Sequence, residues 1–354
     1  MSDELLQLRD DIDRLDREIL ERLAARARNA QRIGEVKKGN LYRPGREAQV
    51  LRSIAEENPG PLPAQAVQRI FREIMSACLA LEQPLRVVYL GPAGTFSESA
   101  ARKHFGSAPS FLPQATIEET FRMVEAGNAD YSVVPVENST EGAVSGTLDL
   151  LLASRLMVCG EVSLRIQQHL MSRAEKLEDV RRIYSHAQSL AQCHEWLNRH
   201  LPGAERIPVT SNAEAARLAA NEEGAAAIGG EAAAALYELN VLNASIEDDP
   251  RNTTRFLVLS THDAERSGQD RTSFICSAPN RPGTVHQLLE PLAKHGVSMS
   301  KLQSRPSRNG MWEYSFYIDI EGHRADPAVA AALTELEERA SFLKMLGSYP
   351  VAAI

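Results

Sequence analysis

Apolar residues recur every three or four positions from Leu5 to Val36, through Leu8, Ile12, Leu15, Ile19, Leu23, Ala27, Ala30 and Ile33, with charged residues between them. That period predicts one long amphipathic helix, opened by Ser2-Asp3-Glu4 and stopped near Gly39. After a break at YRPG, the same spacing predicts a second helix from about Arg46 to Glu57, ended by NPGPLP, and a third from about Ala64 to Leu81. At 1.5 Å per residue the first helix would be about 50 Å long, too long for two short neighbours to cover. The pattern therefore predicts pairing with a second copy, as a homodimer or a dimer of dimers.

Beyond Gln83-Pro84 the period changes. Short apolar runs (RVVYL, YSVVPV, FLVLS) alternate with helical stretches (ESAARKHF, IEETFRMVEAG), which predicts an α/β domain over residues 86–261 with a largely parallel sheet. THDAERSGQDR reads as a polar linker. Residues 271–354 then run strand, helix, strand, strand, helix, strand, the βαββαβ order of an α+β ferredoxin-like module. With residues 1–83 all-helical, the chain is multidomain, and it carries no tandem repeat or low-complexity segment.

Composition narrows the function classes. The chain is 43% hydrophobic and 24% charged, with no apolar run long enough to span a bilayer. The N-terminus lacks the basic-then-apolar layout of a secretory signal, so a cytoplasmic location is expected. A net charge of −8 argues against nucleic acid as the main partner. Residues 1–83 hold acidic and basic side chains in equal number, so the acidic excess lies downstream. Cys78, Cys159, Cys193 and Cys276 form no CxxC pair and stand at no metal-ligand spacing with histidine. His186 and His194 invite a metal or general-base reading, but no carboxylate completes a site. Neither a metal nor a cofactor is expected.

In the helical segment Arg9, Arg26 and Lys37 punctuate the apolar face, and Arg46-Glu47 opens the second helix. Solvated charge at an oligomer interface accounts for such a pattern; so does an anion pocket, since arginine captures carboxylates in bidentate fashion. The layout LxxLRxxIDxLDxxI…R…K…YRPxRE, closed by IFxEIMSACL, resembles the all-helical chorismate mutases over residues 4–82. The resemblance implies a pocket shared by two intertwined protomers. Arg9 would come from the neighbouring subunit, with Arg26, Lys37, Arg46, Glu47, Cys78 and Glu82 from the home subunit. It also implies a pericyclic rearrangement of chorismate to prephenate without nucleophile or proton transfer, driven by conformer selection and charge stabilisation at the breaking ether oxygen. Lys37 is the candidate for that oxygen. Cys78 and Glu82 stand where related enzymes often carry Ser and Gln. A carboxylate at position 82 would repel the developing charge, so Glu82 is expected to act in its protonated form.

LRVVYLGPAGTFSESAA opens the second domain with a strand, a glycine loop and a helix start, yet matches neither GxGxxG nor GxxxxGK[ST]. Backbone N–H groups there, with Thr95 and Ser97, suit a carboxylate. ENSTEG (Glu137 to Gly142) follows a strand; YSHAQSLAQC supplies Ser185, Gln188 and Gln192; NTTRF places Thr253-Thr254-Arg255 before an apolar run. Each could be a turn or cap alone. Together these polar loops at strand ends suggest one cleft between two lobes.

These stretches resemble prephenate dehydratase, whose fold is similar to the two-lobed periplasmic-type binding proteins. The resemblance implies loss of carbon dioxide and the ring hydroxyl from prephenate. It gives Thr254 the role of donor to that hydroxyl, Arg255 that of substrate anchor, and Thr95, Phe96, Ser97, Asn138, Ser139, Thr140, Ser185 and Gln192 that of pocket lining. Glu137 would either act there or brace its loop. In the last segment, NRPGTVHQLL and LQSRPSR resemble the ACT-type regulatory domains. That resemblance implies a phenylalanine effector held by Asn280, Pro282, Gly283, Thr284, Val285, Gln303, Ser304, Arg305 and Pro306, with Gln303 replacing a glutamate. Two rival readings stand beside this one: an arogenate-preferring dehydratase, and a non-catalytic amino-acid sensor.

Overall fold

The computed structural model describes residues 3–36, 42–82, 84–278, 281–306 and 314–352. Lys37 and Asn280 lie outside these residues. The first helix, α1 (Asp3–Val36), has acidic residues in its first turn, which complement the positive end of the helix dipole. The second, α2 (Pro44–Glu56), begins two residues earlier than the spacing predicts, because Pro44 has the fixed φ and missing N–H that suit a first helical position. The third, α3 (Ala64–Glu82), packs against both.

The α/β domain divides into two lobes. The first contains β1 (Arg86–Leu90), α4 (Phe96–Phe105), β2 (Ser110–Gln114), α5 (Ile117–Glu125), β3 (Tyr131–Asn138), β4 (Gly142–Ala143), α6 (Ser145–Ala153) and β5 (Met157–Arg165). The second contains β6 (His169–Ser172), β7 (Arg182–His186), α7 (Ala187–Gln192), α8 (His194–His200), β8 (Glu205–Val209), α9 (Asn212–Ala219), β9 (Ala225–Gly229), α10 (Glu231–Leu236) and β10 (Asn240–Asn243). The chain then returns to the first lobe as β11 (Thr253–Ser260).

Strand order is β2-β1-β3-β11-β5 in the first sheet, with β4 on β3, and β10-β6-β9-β7-β8 in the second. The expectation of a largely parallel sheet needs correction. The β1–β2, β1–β3, β7–β8 and β7–β9 pairs are parallel, whereas β11 runs antiparallel to β3 and β5, and β6 and β10 are antiparallel as well. The double crossing between lobes is the physical reason, since a strand returning from the other lobe enters against its neighbours.

The last domain has β12 (Asp270–Ala278), α11 (Thr284–Lys294), β13 (Met299–Pro306), β14 (Tyr314–Glu321), α12 (Pro327–Arg339) and β15 (Phe342–Pro350), with sheet order β13-β14-β12-β15 and antiparallel pairing throughout. One face of this sheet packs on α11 and α12 through Phe274, Leu288, Ile318 and Leu336. The other face merges with the first lobe, where Ile275, Tyr317, Leu346 and Tyr349 join the core of Val133, Val158 and Leu257. A Cβ at Gly347 would collide with the Val158 carbonyl, so glycine permits β15 to lie directly on β5. The linker residues are anchored to this junction: Glu265 pairs with Arg43 at 3.0 Å, and the buried Asp270 carboxylate accepts from Ser267 N at 2.9 Å.

Candidate active sites

Alternation along β11 decides the geometry of the second domain. Successive residues of a strand point to opposite faces, and Thr254 pairs in register with Asn138 while Arg255 pairs with Glu137. Thr254 and Asn138 turn into a cleft of about 480 Å³ between the lobes. Arg255 and Glu137 turn to the regulatory domain instead. Arg255 donates through Nε to Glu161 at 2.8 Å, through Nη1 to Asp319 at 2.6 Å and through Nη2 to Tyr349 Oη at 2.9 Å. Burial opposes its charge, but Tyr349, Asp319 and Glu161 hold it protonated above the ordinary arginine range. Arg255, expected as substrate anchor, does not line the cleft in this structure and sits in a buried inter-domain tie. Glu137 is likewise bound by Lys301 at 2.7 Å.

Within the cleft the hydrogen bonds orient the Thr254 hydroxyl. Asn138 Oδ1 accepts from Thr140 N at 3.0 Å, Thr140 Oγ1 at 2.6 Å and Glu141 N at 3.2 Å. Those two backbone donors fix which end of the amide is oxygen. Asn138 Nδ2 must then donate, and it does so to Thr254 Oγ1 at 2.8 Å and Asn252 Oδ1 at 3.0 Å. With that lone pair engaged, the hydroxyl proton of Thr254 is left to point elsewhere. Ser139 accepts from Thr253 N at 3.0 Å, so it braces the strand end and does not line the cleft.

The glycine loop forms the opposite wall. Thr95 Oγ1 donates to Leu90 O at 3.1 Å, closing the loop, and makes no side-chain cap to α4. The first N–H groups of α4, at Phe96 and Ser97, thus keep an anion-binding character beside the cleft they line. Phe96 also meets the second lobe, since a Cβ at Gly230 would lie 2.9 Å from its ring.

The second lobe supplies a polar network that sequence reading only half located. Gln168 Nε2 donates to Ser189 Oγ at 3.0 Å and to Gln192 Oε1 at 3.2 Å, and Asn212 Nδ2 donates to Ser189 Oγ at 2.9 Å. Ser185, expected as lining, is buried one layer behind, where it donates to Ile228 O at 2.9 Å and lies 3.0 Å from Asn212 Oδ1. Gln192 reaches across the lobes to Thr140 Oγ1 at 3.5 Å. Gln168, Ser189 and Asn212 were missed because Gln168 lies in the crossing between lobes, outside any motif, and Ser211-Asn212 reads as an ordinary helix cap. Gln168 Oε1 is buried without a hydrogen-bond partner, an acceptor available to a ligand donor. Among the described residues no Lys or Arg lines this cleft, so its anion recognition falls to backbone N–H, hydroxyl and amide groups.

In the helical module Arg9 and Arg46 are exposed, Arg26 is half-buried and Cys78 is buried. Glu82 stands where α3 crosses α1, its Cβ about 3.1 Å from where a Cβ at Gly34 would sit. Glu47, also expected in the mutase set, lines a cavity away from Arg26 and Glu82. It faces the first-lobe wall of that cavity, 4.0 Å from Arg72 Nε, because α2 presents Gly45, Ala48 and Leu51 to that interface and carries Glu47 with them.

In the regulatory domain Gly283 has φ +82 and starts α11, and Pro282 and Thr284 line an open depression with Arg281 and Arg339. Val285 is exposed beside them. Gln303, Ser304, Arg305 and Pro306 lie on β13 and do not line that depression; Arg305 pairs with Asp149 of the dehydratase domain at 3.1 Å. Within one chain the two stretches expected to hold an effector lie apart.

These features define a class: a protein with a ligand cleft between two α/β lobes, flanked by a helical module and an α+β domain. Comparisons specify it. The chorismate mutase type II family matches residues 8–83, the prephenate dehydratase family residues 87–264 and the ACT domain family residues 272–338. A bifunctional chorismate mutase/prephenate dehydratase of Neisseria gonorrhoeae is 54% identical over 99% of this chain and 98% of its own length. One from Pseudomonas aeruginosa is 49% identical over 99% of both. The prephenate dehydratase of Arthrobacter aurescens in complex with L-Phe superposes with a TM-score of 0.69 at 36% identity, covering 75% of this chain and 90% of that one. The chain belongs to the bifunctional chorismate mutase/prephenate dehydratase family. Among the described residues no helix is long and apolar enough to cross a membrane.

Proposed function

We infer that this protein rearranges chorismate to prephenate in its helical module and converts prephenate to phenylpyruvate in its two-lobed cleft, under feedback by phenylalanine through the ACT domain. The observation that carries the second activity is the Asn138–Thr254 pair at 2.8 Å inside the cleft. In the dehydratase step the bond from ring to carboxylate breaks, its electron pair flows into the ring, and the ring C–O bond opposite breaks. Carbon dioxide leaves, the departing hydroxyl takes a proton to become water, and an aromatic ring forms. An aliphatic hydroxyl is a poor acid, so Thr254 acts by hydrogen-bonding or relaying a proton to the leaving oxygen at the moment charge develops there. The start of α4 and the amide N–H of Asn212 hold the carboxylates without a strong cation that would trap them against decarboxylation, while Gln168 Oε1 accepts from a substrate hydroxyl.

The mutase pocket is completed by a second copy. In α1 only Ala30 is buried, whereas Leu8 and Ile12 are 55% and 57% exposed, a stripe that a paired α1 would cover. Pairing brings Arg9 of the second copy to Arg26, Arg46 and Glu82, with Lys37 at the ether oxygen. Glu82 donates a hydrogen bond there while protonated, so mutase turnover falls as pH rises and Glu82→Gln flattens the profile. Pairing of ACT domains, read as ferredoxin-like modules, joins the Pro282–Val285 turn of one chain to Ser304 and Pro306 of another around phenylalanine.

Purified protein given chorismate, prephenate and arogenate in turn, with and without phenylalanine, tests this reading. Phenylpyruvate from the first two, suppressed by phenylalanine, is the expected result. Turnover of arogenate in preference to prephenate, or of neither, overturns it.

A further inference from the structure

A second cavity, about 270 Å³, lies where all three modules meet. Its walls come from α2 and α3 of the helical module, α4 and β5 of the first lobe, and the ends of β12 and β15. Neither substrate site contributes to it apart from Glu47: Thr254, Asn138, Arg26, Cys78 and Glu82 are all absent from its lining. One side is apolar, formed by Tyr42, Leu51 and Val162.

The other side holds Arg72, Lys103 and Arg271. Arg72 Nε and Arg271 Nε are buried with no hydrogen-bond partner. Buried donors are normally satisfied, so two unsatisfied guanidinium donors lining one cavity mark an absent acceptor. The carboxylates present do not serve. Glu161 Oε2 is already taken by Arg255 Nε at 2.8 Å and by Arg271 Nη1, and Glu47 stops 4.0 Å short of Arg72 Nε.

We propose that this cavity binds a small organic carboxylate, its anionic end on the free donors of Arg72 and Arg271 and a compact apolar body against Tyr42, Leu51 and Val162. Guanidinium suits such an end because its donors match two carboxylate oxygens, and the apolar wall favours a carbon skeleton over a bare inorganic anion. Because each module supplies a wall, an occupant ties the helical module to the dehydratase lobe and the regulatory strands.

Glu47 makes the site responsive to pH. It is enclosed with Tyr42 from its own segment, Arg72 from α3, Lys103 and His104 from α4, Glu161 from β5 and Arg271 from β12. Burial pushes its carboxyl up to about 7, with Arg72 opposing the rise. His104 stays neutral, pushed down to about 3 by burial and then by Arg72, and Lys103 is lowered for the same two reasons. Below about pH 7 Glu47 is protonated and leaves Arg72 to the ligand; above it, the charged carboxylate competes.

Calorimetric titration of the full chain with benzoate, at pH 6 and pH 8, tests the site. The expected result is one saturable event per chain, tighter at pH 6. Arg72→Gln or Arg271→Gln weakens it by about tenfold or more, the loss of a charge-assisted hydrogen bond, and Glu47→Gln removes the pH dependence. Sulfate binding as tightly as benzoate would overturn the organic-carboxylate assignment. Crystals grown with benzoate give a readout independent of how the variants fold. Density for benzoate on Arg72 and Arg271 supports the site; density only in the dehydratase cleft or the ACT domain overturns it.

Discussion

In the two-lobed module the hydroxyl of Thr254 is aimed by an amide whose own orientation is fixed by backbone donors. In the helical module α1 stands with its apolar stripe open, and the cations set on it are exposed or half-buried. Both modules are read as gripping a small ring that carries carboxylates. The difference follows from the chemistry asked of each. A pericyclic step needs shape and fixed charge, which two helical surfaces pressed together can supply. An elimination needs a hydrogen bond delivered to one departing atom, which calls for a rigid local network.

The comparison is broken most severely by separating the copies. Leu15→Glu in α1 puts a charge into the stripe, and the expected outcome is a monomeric chain by light scattering with mutase turnover lost to the detection limit, because the proposed pocket takes Arg9 from another copy. Dehydratase turnover should persist in the same sample. If mutase activity survives in a demonstrable monomer, the shared-pocket reading fails. Next in size is Thr254→Ala. Removing a positioned hydrogen-bond or proton donor costs roughly 10²–10⁴ in kcat, and prephenate consumption should fall by that factor while chorismate consumption is unchanged. Equal losses in both reactions would mean the two pockets are not independent.

Much of this was legible in the chain. The long helix, the change of period at Gln83-Pro84 and the βαββαβ succession are periodicity signals, and each resolves into the elements described. Asn138 and Thr254 stood in quotable motifs. What could not be read was side-chain direction at the end of a strand. NTTRF places Thr254 and Arg255 one residue apart, and only the register of β11 against β3 decides which of them meets the cleft. Polar groups from the crossing between lobes, such as Gln168, had no motif because their partners lie far away in sequence. That Glu47 lines the cavity at the seam was not readable for a related reason, since the face of α2 on which it lies packs against a domain that the helical pattern does not contain.

Arg255 supplies the third test. Deleting one member of a buried ion pair leaves the others uncompensated and costs about 3–5 kcal/mol. Arg255→Ala takes the guanidinium from Asp319, which keeps the Ser273 hydroxyl, and leaves Glu161 with Arg271 and the Ala352 N–H. The expected result is a loss of that order in denaturant-derived stability, with KM for prephenate in the surviving folded protein near the parent value. A raised KM at unchanged stability would return Arg255 to the cleft as a substrate anchor.

The smallest effect is a pH profile, and it comes from two groups at the seam between modules that pull in opposite directions. Glu47 titrates near its ordinary 4.5 in the unfolded chain and at about 7 in the folded one, mainly through burial. Between those values the folded protein holds a proton that the unfolded chain has released, so this group makes stability fall as pH rises from 4.5 to 7. His104 behaves conversely. Its ordinary value of 6.5 drops to about 3, again mainly through burial, so the unfolded chain holds the extra proton and stability rises with pH between 3 and 6.5. From pH 4.5 to 6.5 the two slopes oppose each other, each at most about 1.4 kcal/mol per pH unit. Glu47→Gln therefore leaves the His104 slope unopposed, and stability relative to the parent should tilt upward across that window. His104→Gln should tilt it downward, toward pH 7. Denaturation midpoints at half-unit pH steps resolve both tilts, and parallel curves for parent and variants would show that neither group is held at the seam in the protonation state its burial demands.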